Sequence, residues 1–467
     1  MELYPLTYIL FTYLIIIITG ILVFTAISHM LYQKRSPTSM ISWLLAVFFL
    51  PHITIPLYFL IGIRKRSDKK AKSYVTFSEN RHPNTIESSQ HTLLEILKKN
   101  GIPPATSGNQ YHIITSDTEA FDIMIKEIES SRESIDICTY VFAYDQTTHA
   151  LLEALTKRAK SGVKVRLLID IAGSLTIYFR QKPFRALREA GGEVAFFVPL
   201  FKKPFQSYIN LRNHRKIYLF DHTRVLSGGM NLSNEYLGKE DGTTRWKDIL
   251  YRLEGPAVYN FYTIFMNDWI YATGEQSPIL VQENYHQEGE NIVQVVPSGP
   301  DIPRDALYEA LLSMIYSAKE RIWIVTPYFV PDDNIMQALI IAQHRGIDIK
   351  LITPRKSNHR IADLGRSPYM RELEEAGVDL KLYEGDMLHA KAILFDHIGG
   401  MIGSVNLDNR SLFLNYEIVT FAYSEALIGQ IEAWMNTLMT ETTGSLEAPT
   451  KVREALENLM KVFAPLL

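Results

Sequence analysis

Twice in this chain a histidine is followed two residues later by a lysine: His214 with Lys216, and His389 with Lys391. Each pair leads to an aspartate, Asp221 or Asp396, and then to a short tail, Gly228-Gly229-Met230-Asn231 or Gly403-Ser404-Val405-Asn406. On a β-strand, residues two apart project from the same face. Apolar runs at 217–220 and 392–395 supply the strand, so each imidazole would stand beside its own ammonium group. Imidazoles do nucleophilic and acid–base work. Two of them across one site suit a displacement in two steps. One attacks; the other protonates the leaving group and then deprotonates the incoming one. Two ammonium groups and two carboxamides around them suit an anion with several equatorial oxygens, which is phosphoryl chemistry. A lysine two residues from each histidine would repel a metal ion, so a histidine–metal site is disfavoured and we expect no cofactor. A single H-x-K is ordinarily a solvated or structural pair. Two copies with the same tail are not.

The elements around these pairs repeat as well. Residues 214–234 and 389–409 are identical at ten of 21 positions. Upstream of each motif, helical apolar spacing at 121–131 and 307–317 precedes strand-like runs at 135–141 and 322–330. A further helix follows, then a β-branched strand opened by glycine, 162–170 and 346–353. Another helix ends in Glu189-Ala190-Gly191 or Glu375-Ala376-Gly377. A period this long excludes a solenoid. Alternating helices and strands give an α/β fold: two similar α/β sandwich halves, paired by pseudo-two-fold symmetry so that the motifs meet at the seam.

The N-terminal part is different. Residues 6–31 carry no Lys, Arg, Asp or Glu, and a second uncharged run covers 41–63, interrupted by Pro51 and Pro56. At 1.5 Å per residue the first spans a hydrocarbon core of ~30 Å. The two runs are read as a transmembrane helical hairpin; the prolines leave a re-entrant second segment as the alternative. Lys34 and Arg35 lie between the runs, whereas Arg64, Lys65, Arg66, Lys69, Lys70 and Lys72 follow the second, which places the rest of the chain on the cytoplasmic side. The resulting division is 1–72 hairpin with basic flank, 73–110 linker with one short helix near 93–99, 111–292 first half and 293–467 second half. Lys and Arg number 48 against 51 Asp and Glu, a net charge of −3, which argues against a dedicated duplex nucleic-acid binder. The one cysteine, Cys138, excludes an internal disulfide and a cysteine-based zinc cluster.

The paired H-x-K-x₄-D motifs with their G-G-x-N and G-S-x-N tails resemble the phospholipase D superfamily. The hairpin, the Trp246-Lys247-Asp248 element, residues 406–412 and Asn415-Tyr416-Glu417 are similar, more narrowly, to the bacterial cardiolipin synthases. The resemblance covers nearly the whole chain. It implies that His214 and His389 are nucleophile and general acid/base, with His214 favoured as the attacking group. It implies that Lys216, Lys391, Asn231 and Asn406 hold phosphate oxygens, with Ser404 as a further donor. It also implies orienting carboxylates 25–35 residues downstream of each histidine, where Asp248 and Glu417 stand. The motif groups Asp221 and Asp396 with the catalytic set. On a straight strand, however, a position seven residues from the histidine faces away from it, and we read both as structural. Gly229 breaks the symmetry, since its counterpart is Ser404.

The expected function is phosphatidyl transfer between two phosphatidylglycerol molecules, giving cardiolipin and glycerol through a phosphatidyl-histidine. Other phospholipase D-type enzymes, such as phosphatidylserine synthase or a hydrolytic phospholipase D, are the alternative. A membrane-tethered nuclease fits the charge less well, and two intact motifs argue against a silent lipid-binding protein. Expected partners are phosphatidylglycerol and an anionic bilayer at the bacterial inner membrane, with no nucleic acid; the oligomeric state is left open. Mixed aromatic and basic residues at 175–205 suit contact with lipid head groups.

Overall fold

In the computed structural model, residues 4–32, 37–61, 72–77, 91–198, 210–239, 245–275 and 288–463 are described. Lys34, Arg35, the basic residues 64–70 and the aromatic–basic residues 201–205 lie outside them. The chain divides into two compact units, Met1–Arg66 with Lys203–Asn210, and Ser67–Lys202 with Leu211–Leu467.

In the first unit, helix Tyr4–Tyr32 contains an apolar stretch, Leu10–Tyr32, long enough to cross a membrane. The second run is not one helix. Helix Pro37–Phe49 ends at Leu50, and Pro51–Ile61 starts again, because a proline at 51 has no N–H to continue the ladder. Ala26, Met30, Val47, Ile55 and Tyr58 pack the three helices together.

Among the described residues the second unit is built on one sheet of 15 strands. Its outer strand on one side is Glu193–Phe197, followed by Lys164–Asp170, Ser134–Thr139, Ile217–Phe220, Arg224–Gly228, Leu250–Glu254 and Thr106–Ile114. The next strand, Asn291–Ser298, begins the same order in mirror sequence: Glu417–Ala422, Gly399–Gly403, Ala392–Phe395, Arg321–Val325, Asp348–Pro354 and Asp379–Tyr383, capped by the short Thr442–Thr443. Thr106–Ile114 and Asn291–Ser298 run antiparallel, so a pseudo-two-fold axis passes between them. Thr106–Ile114 opens inside the segment read as linker, and a helix at His91–Lys99 matches the expected one. Both faces of the central strands are covered; Ser134–Thr139 is buried at every position, and its one charge, Asp136, is paired with the buried Arg166. Helices Asp117–Ser130 and Gln146–Lys160 cover one face through Phe121, Met124, Leu151 and Leu155. Helix Val258–Thr273 packs against strands Glu193–Phe197, Ile217–Phe220 and Arg224–Gly228. The strand expected over 322–330 stops at Val325, since Pro327 breaks it; Phe329–Val330 instead pairs in parallel with Leu407–Asp408.

The motif aspartates sit in the turns that follow the strands after each histidine, with φ of 51° at Asp221 and 48° at Asp396. Each carboxylate collects three consecutive backbone N–H groups at the start of a central strand. For Asp221 these come from Arg132, Glu133 and Ser134 at 2.7–3.1 Å. For Asp396 they come from Lys319, Glu320 and Arg321 at 2.9–3.0 Å. Burial works to raise the Asp221 pKa, but the N–H groups of Glu133, Ser134 and Arg132 outweigh it and leave it lowered. Grouping these aspartates with the catalytic set is therefore corrected: they face away from the histidines and tie strands together. Asp221→Ala or Asp396→Ala should each cost about 2–4 kcal/mol, the worth of several hydrogen bonds to a charged acceptor. Thermal unfolding of the detergent-solubilised chain reads the loss, and turnover per folded molecule should stay near that of the unsubstituted chain.

Candidate active site

His214 and His389 lie just before strands Ile217–Phe220 and Ala392–Phe395, where the chain leaves the sheet and crosses the seam. The backbone makes the crossing. His214 N donates to Tyr416 O at 2.9 Å and Tyr416 N to Arg212 O at 2.8 Å. His389 N donates to Lys247 O and Lys247 N to Met387 O, both at 2.7 Å. Each histidine is thus laid beside the acid-bearing segment of the other half. His214 Nδ1 donates to Glu417 Oε2 at 2.9 Å, and His389 Nδ1 to Asp248 Oδ2 at 2.7 Å. Both carboxylates are fully buried. Asp248 and Glu417, the two acids expected to orient the rings, are the ones hydrogen-bonded to them, but the partnership is crossed between halves.

Both imidazoles line a cavity of about 620 Å³, and with each Nδ1 held by a carboxylate the nitrogen left to serve it is Nε2. Their environments differ. Among the described residues Nε2 of His214 has no hydrogen-bond partner. Lys391 Nζ lies across the His389 ring, 2.7 Å from Nδ1 and 3.0 Å from Nε2, and the Tyr236 hydroxyl is 3.4 Å from Nε2. The rings of Tyr236 and Trp246 pack on His389, and that of Tyr140 on His214.

Burial lowers the pKa of both imidazoles. His389, which also faces the Lys391 ammonium, falls to about 3. Burial raises the two carboxylates, but Lys391 and His389 more than offset this at Asp248, as His214 and Lys216 do at Glu417, and both stay lowered. The lysines are pushed down by burial, Lys216 to about 7 and Lys391 to about 8, with Glu417 and Asp248 holding them up in part. Lys216 Nζ donates to His214 O at 2.8 Å, and Lys391 Nζ donates to His389 O.

The remaining expected residues divide. Asn231 Oδ1 accepts from Val141 N at 3.2 Å, and its side chain lines the cavity. Asn406 also lines it, and its buried Oδ1 has no partner among the described residues. A half-turn of that amide would put a donor at the same point. Ser404 is corrected. It is fully buried, does not line the cavity, and donates to Glu417 Oε2 while accepting from Ile418 N at 3.0 Å. It holds an orienting acid and is not placed to hold a phosphate oxygen. This accounts for Gly229 at the matching position, where a Cβ would lie 2.1 Å from Asp248 Oδ1. Lys72 is corrected as well. Counted with the basic flank, it is buried against Asp268 and lies 2.6 Å from Asp301. Those two acids also hold Arg215 at 2.8–3.0 Å, and Asp268 accepts from Asn213 at 2.9 Å. Both neighbours of His214 are thereby fixed.

A pair of crossed imidazole–carboxylate couples around one polar cavity, with lysines against both, is built for transfer through a covalent histidine. Comparison with known proteins agrees. A family model described as cardiolipin synthase, PLD-like domain, matches residues 124–269 and 311–439. The chain belongs to this cardiolipin synthase family. A second model, phospholipase D-nuclease N-terminal, matches residues 20–62. Within the family, cardiolipin synthase 1 of Bacillus cereus is 31% identical over 462 residues, covering 93% of this chain and 90% of that one. Cardiolipin synthase A of Erwinia tasmaniensis is 33% identical over 411 residues, 84% of each. The fold is also that of a phosphatidylserine synthase from Haemophilus influenzae, with a TM-score of 0.59 at 15% identity over 77% of this chain and 95% of that one.

Sequence reasoning passed over Arg212 and Arg410, which line the cavity of this family member. Arg212 is buried, 3.8 Å from Asp170, and its Nη1 has no hydrogen-bond partner among the described residues. Its place two residues before His214 in an extended segment, where alternate residues share a side, was the available signal.

With both rings neutral at pH 7, an imidazole-acylating reagent should modify His214 first, because its Nε2 is open to the cavity while that of His389 is engaged. An oxyanion such as tungstate should protect it. Peptide mapping that finds His389 modified first would contradict the asymmetry.

Proposed function

We propose that the chain makes cardiolipin from two phosphatidylglycerol molecules. The observation that supports this best is the crossed pair of oriented, neutral imidazoles facing one cavity, in a chain that belongs to the cardiolipin synthase family. In this reading His214 Nε2 attacks the phosphorus of one phosphatidylglycerol. The bond from phosphorus to the glycerol oxygen breaks, and His389, which takes up a proton on Nε2 as the anionic substrate binds, passes that proton to the leaving oxygen. The primary hydroxyl of a second phosphatidylglycerol then passes its proton to His389 and attacks the phosphatidyl-histidine, releasing His214. The open Nε2 of His214 favours it as the nucleophile. Asn231 and Asn406 hold the phosphate oxygens, aided by Arg212, while Lys216 and Lys391, expected as direct holders, are buried behind the histidines and supply positive charge to the site. Asp248 and Glu417 fix the ring tautomers and stabilise each imidazolium as it forms. An anionic phosphodiester bound in the cavity would offset the Lys391 ammonium charge that faces His389, raising the proton affinity of the imidazole when substrate arrives.

The same reading treats 1–72 as a membrane hairpin with a basic flank, 73–110 as a linker, and 111–292 and 293–467 as the two halves. It makes the chain a multi-pass protein of the bacterial inner membrane with its catalytic part cytoplasmic, acting on phospholipid and not nucleic acid. Among the described residues the long apolar helix Leu10–Tyr32 and the shorter Met40–Phe49, with the count of basic residues after position 63, support that topology.

Reconstituted protein given phosphatidylglycerol and no metal should release cardiolipin and glycerol in equal amounts. Phosphatidic acid alone would make it a hydrolase instead. With a nitrophenyl phosphatidyl ester, whose leaving group needs little protonation, His389→Ala should give a burst of nitrophenol and a phosphatidyl adduct mapping to His214. His214→Ala should give neither. The reverse pattern would exchange their roles.

The pH profile follows from the same groups. Because kcat/KM reports the free enzyme, its acid limb should lie below the ordinary histidine value of about 6.5, where His214 becomes protonated. The alkaline limb should begin near 7 and steepen near 8, as Lys216 and then Lys391 lose their charge. Lys216→Arg keeps a cation at all these pH values, so the alkaline limb should move up to that of Lys391. An unmoved limb would mean that Lys216 is not the group titrating.

A further inference from the structure

The active-site cavity is not the only hollow edged with cations. Among the described residues a second, of about 510 Å³, lies between helix Arg360–Glu375 and helix Lys451–Phe463. Arg355, Lys356, Arg360, Arg366, Arg371 and Arg453 line it. The acids among its lining are Asp363 and Glu447. Some of this positive charge is already matched. Arg366 is buried and donates to Asp363, Thr353 and the Pro354 carbonyl. Arg355 pairs with Glu384 at 2.6 Å. Arg371 and Arg453, by contrast, share the single carboxylate of Glu457, at 3.4 and 2.8 Å. Lys356 and Arg360 stand exposed on the rim, and neither forms an ion pair among the described residues. The hollow therefore carries surplus positive charge, and fork-shaped guanidinium groups suit phosphate oxygens.

One wall has an unusual orientation. Helix Lys451–Phe463 is amphipathic, yet it docks by its polar side. Glu457 is 2% exposed beneath it, and Lys461 reaches Glu372 at 3.2 Å. Its apolar residues Val452, Leu456 and Leu459, at helical spacing, point outward and are 73%, 47% and 55% exposed. A surface helix of a soluble protein does the reverse. An outward apolar stripe bordered by basic residues is the arrangement that lies against anionic lipid. Ile361, 60% exposed, adds to the apolar surface and also lines the active-site cavity. The first turn of helix Arg360–Glu375 is thus a wall common to both hollows, with Ile361 and Ala362 toward one and Arg360 and Asp363 toward the other.

We propose that this groove is a second lipid site, separate from the site of phosphatidyl transfer. The phosphate of an anionic phospholipid sits among Lys356, Arg360, Arg371 and Arg453. Its acyl chains run along Val452, Leu456 and Leu459. A soluble phosphate would account for the cations but not for the stripe. A lipid held here seats the mouth of the active-site cavity on the bilayer surface. The inference rests on the proposed function only in supposing that the chain works among phospholipids; it requires no turnover.

The test is photo-crosslinking of the full chain in phosphatidylcholine nanodiscs containing a phosphatidylglycerol with a diazirine in its acyl chain, followed by peptide mapping. Adducts are expected on 452–459 and on Leu364, which lines the groove and not the active-site cavity. Unlabelled anionic phospholipid should remove them and added phosphatidylcholine should not. Lys356→Glu combined with Arg360→Glu should lower their yield about ten-fold or more, as expected when two basic contacts with an anionic surface are reversed. Adducts at the walls of the active-site cavity should persist in that variant, which shows that it is folded. Four results would overturn the proposal: no adducts in the groove, adducts indifferent to the charge reversal, displacement by inorganic phosphate as effective as by lipid, or chain-to-chain cross-links from this face. Because crosslinking reads occupancy alone, failure to produce cardiolipin would count against the proposed function and leave this result standing.

Discussion

His214 takes its orienting carboxylate from the far half of the unit, and His389 does the same in the opposite direction. Much of the surrounding structure follows from that exchange. A buried carboxylate is tolerated only when it is charge-paired and hydrogen-bonded, so each acid must be brought to its imidazole with the seam closed around it. The backbone pairs Asn213 with Tyr416 and Lys247 with Leu388 close it, and the sheet continues through Thr106–Ile114 and Asn291–Ser298 behind them. Neither half holds a histidine with its acid. The repeat is a division of labour within a single site.

The same burial sets the electrostatics. Taken out of water, the imidazoles are held neutral and the lysines are brought close to neutrality, while the carboxylates stay charged because the lysines and imidazoles lie against them. Neutral imidazole can attack phosphorus; imidazolium cannot. Ammonium groups with lowered pKa values regain proton affinity when an anion binds beside them. The free site is thus arranged so that a phosphodiester completes its charge balance.

Small asymmetries between the halves have steric causes. Gly229 is glycine because Asp248 comes within 2.1 Å of where its Cβ would be, whereas at the matching place Ser404 donates its hydroxyl to Glu417. Gly228 and Gly403 are glycine in both copies because the backbone of the acid-bearing strand passes at 2.4 and 2.3 Å from the same point. On the far side of His214, Arg215 is locked by Asp268 and Asp301, and Lys72 joins them from the segment that follows the apolar helices in sequence. Removing Lys72 would leave two buried acids to share one guanidinium.

The sequence by itself determined which residues carry the chemistry, because strand periodicity is local. Two positions apart share a face and seven apart do not, which put His214 with Lys216 and turned Asp221 away before any tertiary contact was known. The repeat likewise determined the strand order that each half would share, since like sequences bury like faces. What only the tertiary structure decided is which acid meets which histidine, that Ser404 supports Glu417, that Lys72 is buried, and that Arg212 and Arg410 wall the cavity. Each of these depends on segments far apart in the chain meeting at the seam, and no spacing along one strand encodes what stands opposite its end. The outward stripe of helix Lys451–Phe463 belongs with them. Its amphipathic pattern is plain in the sequence, but which face packs was settled by where Arg371 placed a partner for Glu457.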